Sequence, residues 1–181
     1  MDHLDDNELL EMFNTGNPDY AFNLIMRKYQ QNIYWHVRRL LIDHEDSNDV
    51  VQNVFLKVWE NLGKFRGDSK MYTWLYRVAT NEALSFLKKK QRRFFIPFVD
   101  VEEALSNKLE TDQYFKGDEI QKKLQKAIIK LPEKQRIIFN LRYFDEMKYE
   151  DMSEILGTST GALKASYHIA AKKIEEYLIN G

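Results

Sequence analysis

The chain has 181 residues, with 27 Lys and Arg against 28 Asp and Glu, a net charge of −1 and no cysteine. That length holds one compact domain or two small ones, and the missing cysteine excludes a disulfide framework, thiol catalysis and cysteine-ligated zinc. No apolar run is long enough to span a membrane, and the acidic start MDHLDDNELLEMF fits no secretory signal, so a cytoplasmic protein is expected.

Periodicity predicts helices and no strands. Tyr20, Leu24, Ile25, Tyr29, Ile33, Val37, Leu40 and Leu41 follow three-to-four-residue spacing after the breaker Asn17-Pro18-Asp19. Val50, Val51, Val54, Phe55, Val58, Trp59 and Leu62 form the apolar stripe of a second helix, which Asp46 or Ser47 is positioned to cap and Gly63 to end. Residues 65–69 read as a loop. A third helix, about 71–90, turns Trp74, Leu75, Val78, Ala83, Phe86 and Leu87 inward. From 94 to 118 the stripe disappears in an acidic stretch interrupted by Pro97, Asn107 and Gly117, a linker with room for a short helix. Helical spacing returns at Ile120, Leu124, Ala127, Ile128 and Leu131. Pro132 opens a further helix that buries Ile137, Ile138 and Leu141.

Two last helices, about 149–156 and 160–178, flank Gly157-Thr158-Ser159. Gly157 can take the positive φ of a tight interhelical turn, and Thr158, Ser159 or Thr160 can cap the helix that follows. With Leu163, Tyr167, Ala170 and Ile174 inward, Thr160, Gly161, Lys164, Ala165 and His168 lie on the exposed half. That is the layout of a helix-turn-helix, whose second helix enters the major groove. The same pattern also occurs in unrelated bundles.

Charge is segregated along the chain. Residues 62–93 carry 9 basic and 2 acidic groups, net +7, between a −4 block at 40–61 and a −5 block at 94–119. The +7 block interleaves its cations with Phe65, Tyr72, Trp74 and Tyr76. Cations hold phosphates and aromatic faces stack unpaired bases, which is the chemistry of single-strand recognition. The loop of Arg66, Gly67, Asp68 and Ser69 is suited to wrap an extruded base, with Asn81 supplying a donor and an acceptor. Asp46, Asp49, Gln52 and Asn53 form the polar face of an otherwise apolar helix, either a solvated face or a docking surface for a basic partner. Four scattered histidines, no paired-carboxylate motif and no phosphate loop point away from an enzyme, and no cofactor or metal is expected.

The chain resembles a bacterial RNA polymerase sigma factor of the extracytoplasmic function group over nearly its full length. DSNDVVQNVFLKVW (46–59) is similar to the segment that docks on the polymerase clamp. FRGDSKMYTWLYRVATNEALSFLKKKQRR (65–93) is similar to the −10 melting and recognition region. LPEKQRIIFNLRYFDEMKYEDMSEILGTSTGALK (131–164) is similar to the −35-binding domain. The resemblance implies an all-α protein of two small helical domains, residues 1–93 and 119–181, joined by a flexible acidic linker at 94–118. It implies that Asp46, Asp49, Gln52 and Asn53 meet the β′ clamp helices of core RNA polymerase, with the β flap as a further contact. Arg66, Asp68, Ser69, Lys70, Arg77 and Asn81, with Lys88, Lys89, Arg92 and Arg93, would engage −10 promoter DNA. Ser159, Thr160, Gly161, Lys164, His168 and Lys172 would read the −35 element. An anti-sigma factor is a further implied partner.

This sequence departs from the family pattern in the recognition helix. Ser166, Ile169 and Ala171 stand where arginines are common, leaving Lys164, Lys172 and Lys173 as its cations. Each lost phosphate contact lowers the salt slope of binding by about one unit, so weak duplex binding by the C-terminal part alone is expected. Lys148 stands where the family often has a serine cap. Two other readings are a free-standing helix-turn-helix regulator and a sigma-like protein-interaction module with weakened DNA binding.

Overall fold

Every regular element among the described residues of the computed structural model (4–93, 100–114 and 118–181) is an α-helix. Phe94, Pro97 and Gly117 lie outside the described residues.

Helix α1 (Asp6–Thr15) opens with a capping box. The Asp5 carboxylate accepts from the Glu8 amide, and the Glu8 side chain accepts from the Asp5 amide. No apolar stripe announces this helix, in which Leu9 is the buried residue. Asn17 caps α2 (Pro18–Leu41), with Pro18 in the first turn as the sequence suggests. Helix α3 (His44–Leu62) starts earlier than expected. Its cap is Asp43, whose carboxylate takes the Asp46 amide at 2.8 Å, whereas the buried Ser47 hydroxyl donates back to the Asp43 carbonyl. Gly63 does end α3, but in right-handed geometry, so its conformational freedom is not used. Helix α4 (Met71–Arg93) completes a four-helix unit whose core includes Ile25, Ile33, Val37, Val54, Val58, Leu75 and Ala79.

The expected linker is in part a helix, α5 (Asp100–Thr111), which docks rather than hanging free. Its Leu105 and Leu109 are buried with Ile42 and Ile129. Helices α6 (Glu119–Ile129), α7 (Glu133–Tyr143), α8 (Tyr149–Leu156) and α9 (Thr160–Asn180) form the second unit. Ile120, expected inward, is 81% exposed, and the inner face of α6 is instead Leu124, Gln125, Ala127 and Ile128. Gly157 ends α8 at φ +65°, and among the three candidate caps Ser159 is the one that accepts, from the Ala162 amide. Lys148 caps α8 with no side-chain hydrogen bond, as its identity dictates.

The two units share one apolar seam. Leu75 and Tyr76 of α4 belong to the same buried cluster as Ile137, Leu141, Met147, Met152, Ile155 and Leu163. A polar cluster sits within the seam. Asp145 takes the Tyr76 hydroxyl at 3.0 Å and the Arg39 guanidinium at 3.5 Å. Burial pushes the Asp145 carboxyl above its ordinary value, opposed by Arg39 and the Tyr76 hydrogen bond.

Candidate nucleic-acid interface

The loop after α3 is positioned by Gly67, at φ +76°, which turns the chain back toward α4. Phe65 and Trp74 stack there with ring centroids 4.9 Å apart and planes 23° from parallel. They wall an open cavity of about 450 Å³ that Arg66, Asp68, Ser69 and Arg77 also line. Trp74, expected inward, is therefore only partly buried and doubles as cavity wall. Lys57 and Lys64 join the lining, so four cations, an aromatic platform and short acceptors surround one cavity, a set suited to a single unstacked base and its phosphate. Asn81 lies one turn beyond Arg77, exposed and outside that lining. Lys88, Lys89, Arg92 and Arg93 are exposed in the last turns of α4, where the helix dipole favours cations.

Lys70 and Arg77 carry a second set of contacts that sequence alone did not reveal. The Lys70 ammonium donates to both Asp151 oxygens, at 3.2 and 3.5 Å, and Arg77 Nη2 donates to the Glu154 carbonyl at 2.8 Å. Asp151 and Glu154 belong to α8, the first helix of the helix-turn-helix. The loop cavity and the helix-turn-helix therefore face one another. On α9, Gly161, Lys164, Ala165, His168 and Lys172 are exposed and Thr160 is half-buried. A Cβ on Gly161 would meet open space, so nothing internal requires glycine there. Lys164 lies 5.7 Å above the Tyr149 ring, and Lys173 donates to Gln135.

On α3, Asp49, Gln52 and Asn53 are exposed, while Asp46 is engaged by Lys90 at 2.5 Å and Lys108 at 3.0 Å. Beside them runs an apolar groove of about 450 Å³ lined by Phe22, Met26, Val51, Gln52, Phe55, Leu56 and Trp59. Leu56 is 61% exposed and Trp59, expected inward, is 39% exposed, its ring edge-on to Phe13 and Phe22. The available signal was Leu56 itself, an apolar residue four positions after Gln52 on the polar face.

Comparison with known proteins gives the family of the chain. Residues 25–93 match the family model of sigma-70 region 2, and residues 121–174 match that of sigma-70 region 4. The chain is 32% identical to the RNA polymerase sigma-H factor of Pseudomonas aeruginosa, covering 96% of this chain and 93% of the relative. It is equally 32% identical to the ECF RNA polymerase sigma-E factor of Escherichia coli K12, over 96% of this chain and 94% of the relative. Among solved structures, CnrH in complex with the cytosolic domain of CnrY superposes with a TM-score of 0.71 at 21% identity, covering 97% of both chains. The sigma factor RpoE in complex with the anti-sigma factor NepR from Bartonella quintana gives 0.68 at 22% identity, covering 87% of this chain and 96% of that one. The helices, their order and the two matched regions define a sigma-70-type transcription initiation subunit, a class with no catalysis of its own. The chain belongs to the ECF family of RNA polymerase sigma factors.

No helix of the described residues is long and apolar enough to cross a membrane.

Proposed function

We propose that the division of labour follows the surfaces just described. Asp49, Gln52 and Asn53, with Asp46 once released, dock on the clamp helices of core RNA polymerase, and Leu56 and Trp59 fill an apolar pocket of that partner. Fully desolvated aromatic and aliphatic anchors carry most of the energy at such interfaces, and charges steer the encounter. The cavity behind the 65–70 loop takes one flipped base of the −10 element. Lys88, Lys89, Arg92 and Arg93 hold its backbone phosphates. The exposed half of α9 reads the −35 element, with Ser159 and Thr160 at its amino end and Lys164, His168 and Lys172 along it.

The observation that supports this reading best is the convergence of the stacked Phe65–Trp74 wall with Arg66, Asp68, Ser69 and Arg77 on one cavity. Region 2 would span 1–93 and region 4 would span 119–181, with the intervening acidic segment threading the polymerase nucleic-acid path. An anti-sigma partner is part of the proposal, because both structural neighbours are known as complexes with CnrY or NepR. The place of action is the cytoplasm, where polymerase and promoters are. Run-off transcription with core polymerase on genomic promoter fragments tests the whole scheme. Specific initiation that disappears on Trp74→Ala in the folded protein is the expected result, and failure to form a holoenzyme would reject it.

A further inference from the structure

The linker helix α5 carries four acids, Asp100, Glu102, Glu103 and Glu110, and one cation, Lys108. It packs against the corner between α2 and α3, which lies in a block of net charge −4. Two acidic segments repel, so something specific must hold them together. Lys108 does so at the centre of the contact: its ammonium lies 3.3 Å from Asp43 and 3.0 Å from Asp46. Burial opposes the charge on Asp43, but the Asp46 amide and Lys108 outweigh it and hold the carboxyl below its ordinary value.

Flanking residues of α5 close over Ile42. This residue ends α2 at φ +65°, a conformation that a β-branched side chain rarely adopts and that persists only where its surroundings enforce it. Ile42 is 1% exposed, covered by Leu105, Leu109 and Ile129. Just past the helix, Asp112 receives the Arg38 guanidinium at 2.5 Å, and Lys122 and Lys126 of α6 both pair with Glu110. The contact thus combines an apolar patch with ion pairs of modest individual strength.

We propose that α5 is an intramolecular clasp on the polymerase-docking corner, and that core polymerase must displace it to reach Asp46. The proposal rests on the reading of α3 as the docking helix. While the clasp is closed, the apparent affinity for polymerase is the intrinsic affinity reduced by the fraction of chains that are open. Release of α5 frees Asp43 and leaves Asp46 with Lys90 of α4 alone, for which basic groups of the partner then compete, and the released helix returns its own acids to the linker.

The test compares binding of core polymerase to the full chain and to its Lys108→Ala and Leu105→Ala variants, with hydrogen exchange read on the α5 amides. Lys108 is a surface residue whose removal leaves the cores intact. Leu105→Ala loosens the clasp without changing any charge, so agreement between the two separates clasp release from altered steering. Lys108→Ala should bind about two- to fivefold tighter, as expected from a partly exposed ion pair. The α5 amides should lose protection when wild-type chain binds polymerase. Unchanged or weaker affinity in both variants, or α5 amides that stay protected in the complex, would overturn the clasp. A wild-type chain that binds no polymerase would instead remove the docking reading itself.

Discussion

Acid should unfold this protein through His36, and replacing that residue with glutamine should remove most of the effect. The ring is fully buried at the seam between the two units. Its Nε2 lies 2.8 Å from the Thr80 hydroxyl, and that hydroxyl spends its only proton on the Tyr76 carbonyl at 2.7 Å. Nε2 must therefore be the donor, which leaves Nδ1 unprotonated and facing Asp145 Oδ2 at 3.9 Å. That spacing would suit an ion pair, yet burial and then the nearby Arg39 lower the histidine pKa from 6.5 to about 3, so the ring is neutral. The unfolded chain takes up a proton near 6.5 and the folded chain only near 3, so stability is complete above pH 6.5 and falls as the pH drops through that window. At about 1.4 kcal/mol per pKa unit the full loss approaches 5 kcal/mol, of which about 3 kcal/mol is gone by pH 4.5. Asp145, with its carboxyl raised by burial, binds a proton more readily folded than unfolded and offsets part of this loss. Glutamine places an N–H₂ where Nε2 donates to Thr80 and does not titrate. Urea unfolding followed by circular dichroism at several pH values between 7 and 4.5 reads the slopes. Wild type should lose about 2–3 kcal/mol across that range and His36→Gln well under half as much. Parallel profiles for the two proteins would refute the argument.

Asp49→Arg reverses an exposed charge at the centre of the proposed docking face, and should weaken polymerase binding about tenfold or more with helicity unchanged. Surface plasmon resonance and circular dichroism together check this. Gly157→Ala places a Cβ at φ +65° in otherwise open space, so the cost is backbone strain alone, about 1–2 kcal/mol in urea unfolding. Asp151→Ala frees Lys70 and should steepen the salt dependence of duplex binding by about one unit of log K per log salt. Fluorescence anisotropy at several salt concentrations measures that slope, and equal slopes would show that the Lys70 contact does not limit DNA binding.

What could be read before the fold was known tracks interaction range. The helices from α2 to α4 and α6 to α9 follow from apolar spacing and local breakers, because those forces act within a few residues. Helix α1 was missed although Asp5 and Glu8 spell out its capping box, since so short a helix buries little besides Leu9. The α3 cap was misplaced by at least three residues because Asp43, Asp46 and Ser47 are all competent caps. The choice fell to the abrupt turn at Ile42, which a sequence does not display. Trp59 fits the apolar period and is still half out of the core, because a stripe wider than its partner helices can cover leaves one edge in water. At the site, the residue types of the 65–70 loop were readable from their chemistry. Lys70 with Asp151, 81 positions apart, and Lys108 with Asp46, 62 apart, were not, since tertiary packing alone brings them together.

The pairing of Lys70 and Arg77 with α8 has a consequence for how such a protein searches a genome. Chromosomal duplex offers about 10⁶–10⁹ competing sites, each binding through phosphate contacts that ignore sequence. A free chain in which Lys70 is paired with Asp151 and Arg77 with the Glu154 carbonyl at the surface offers fewer unpaired cations to that excess. A surface that satisfies its own cations in this way holds less of the chain on sequence-blind duplex, which lowers the number of copies needed for a search.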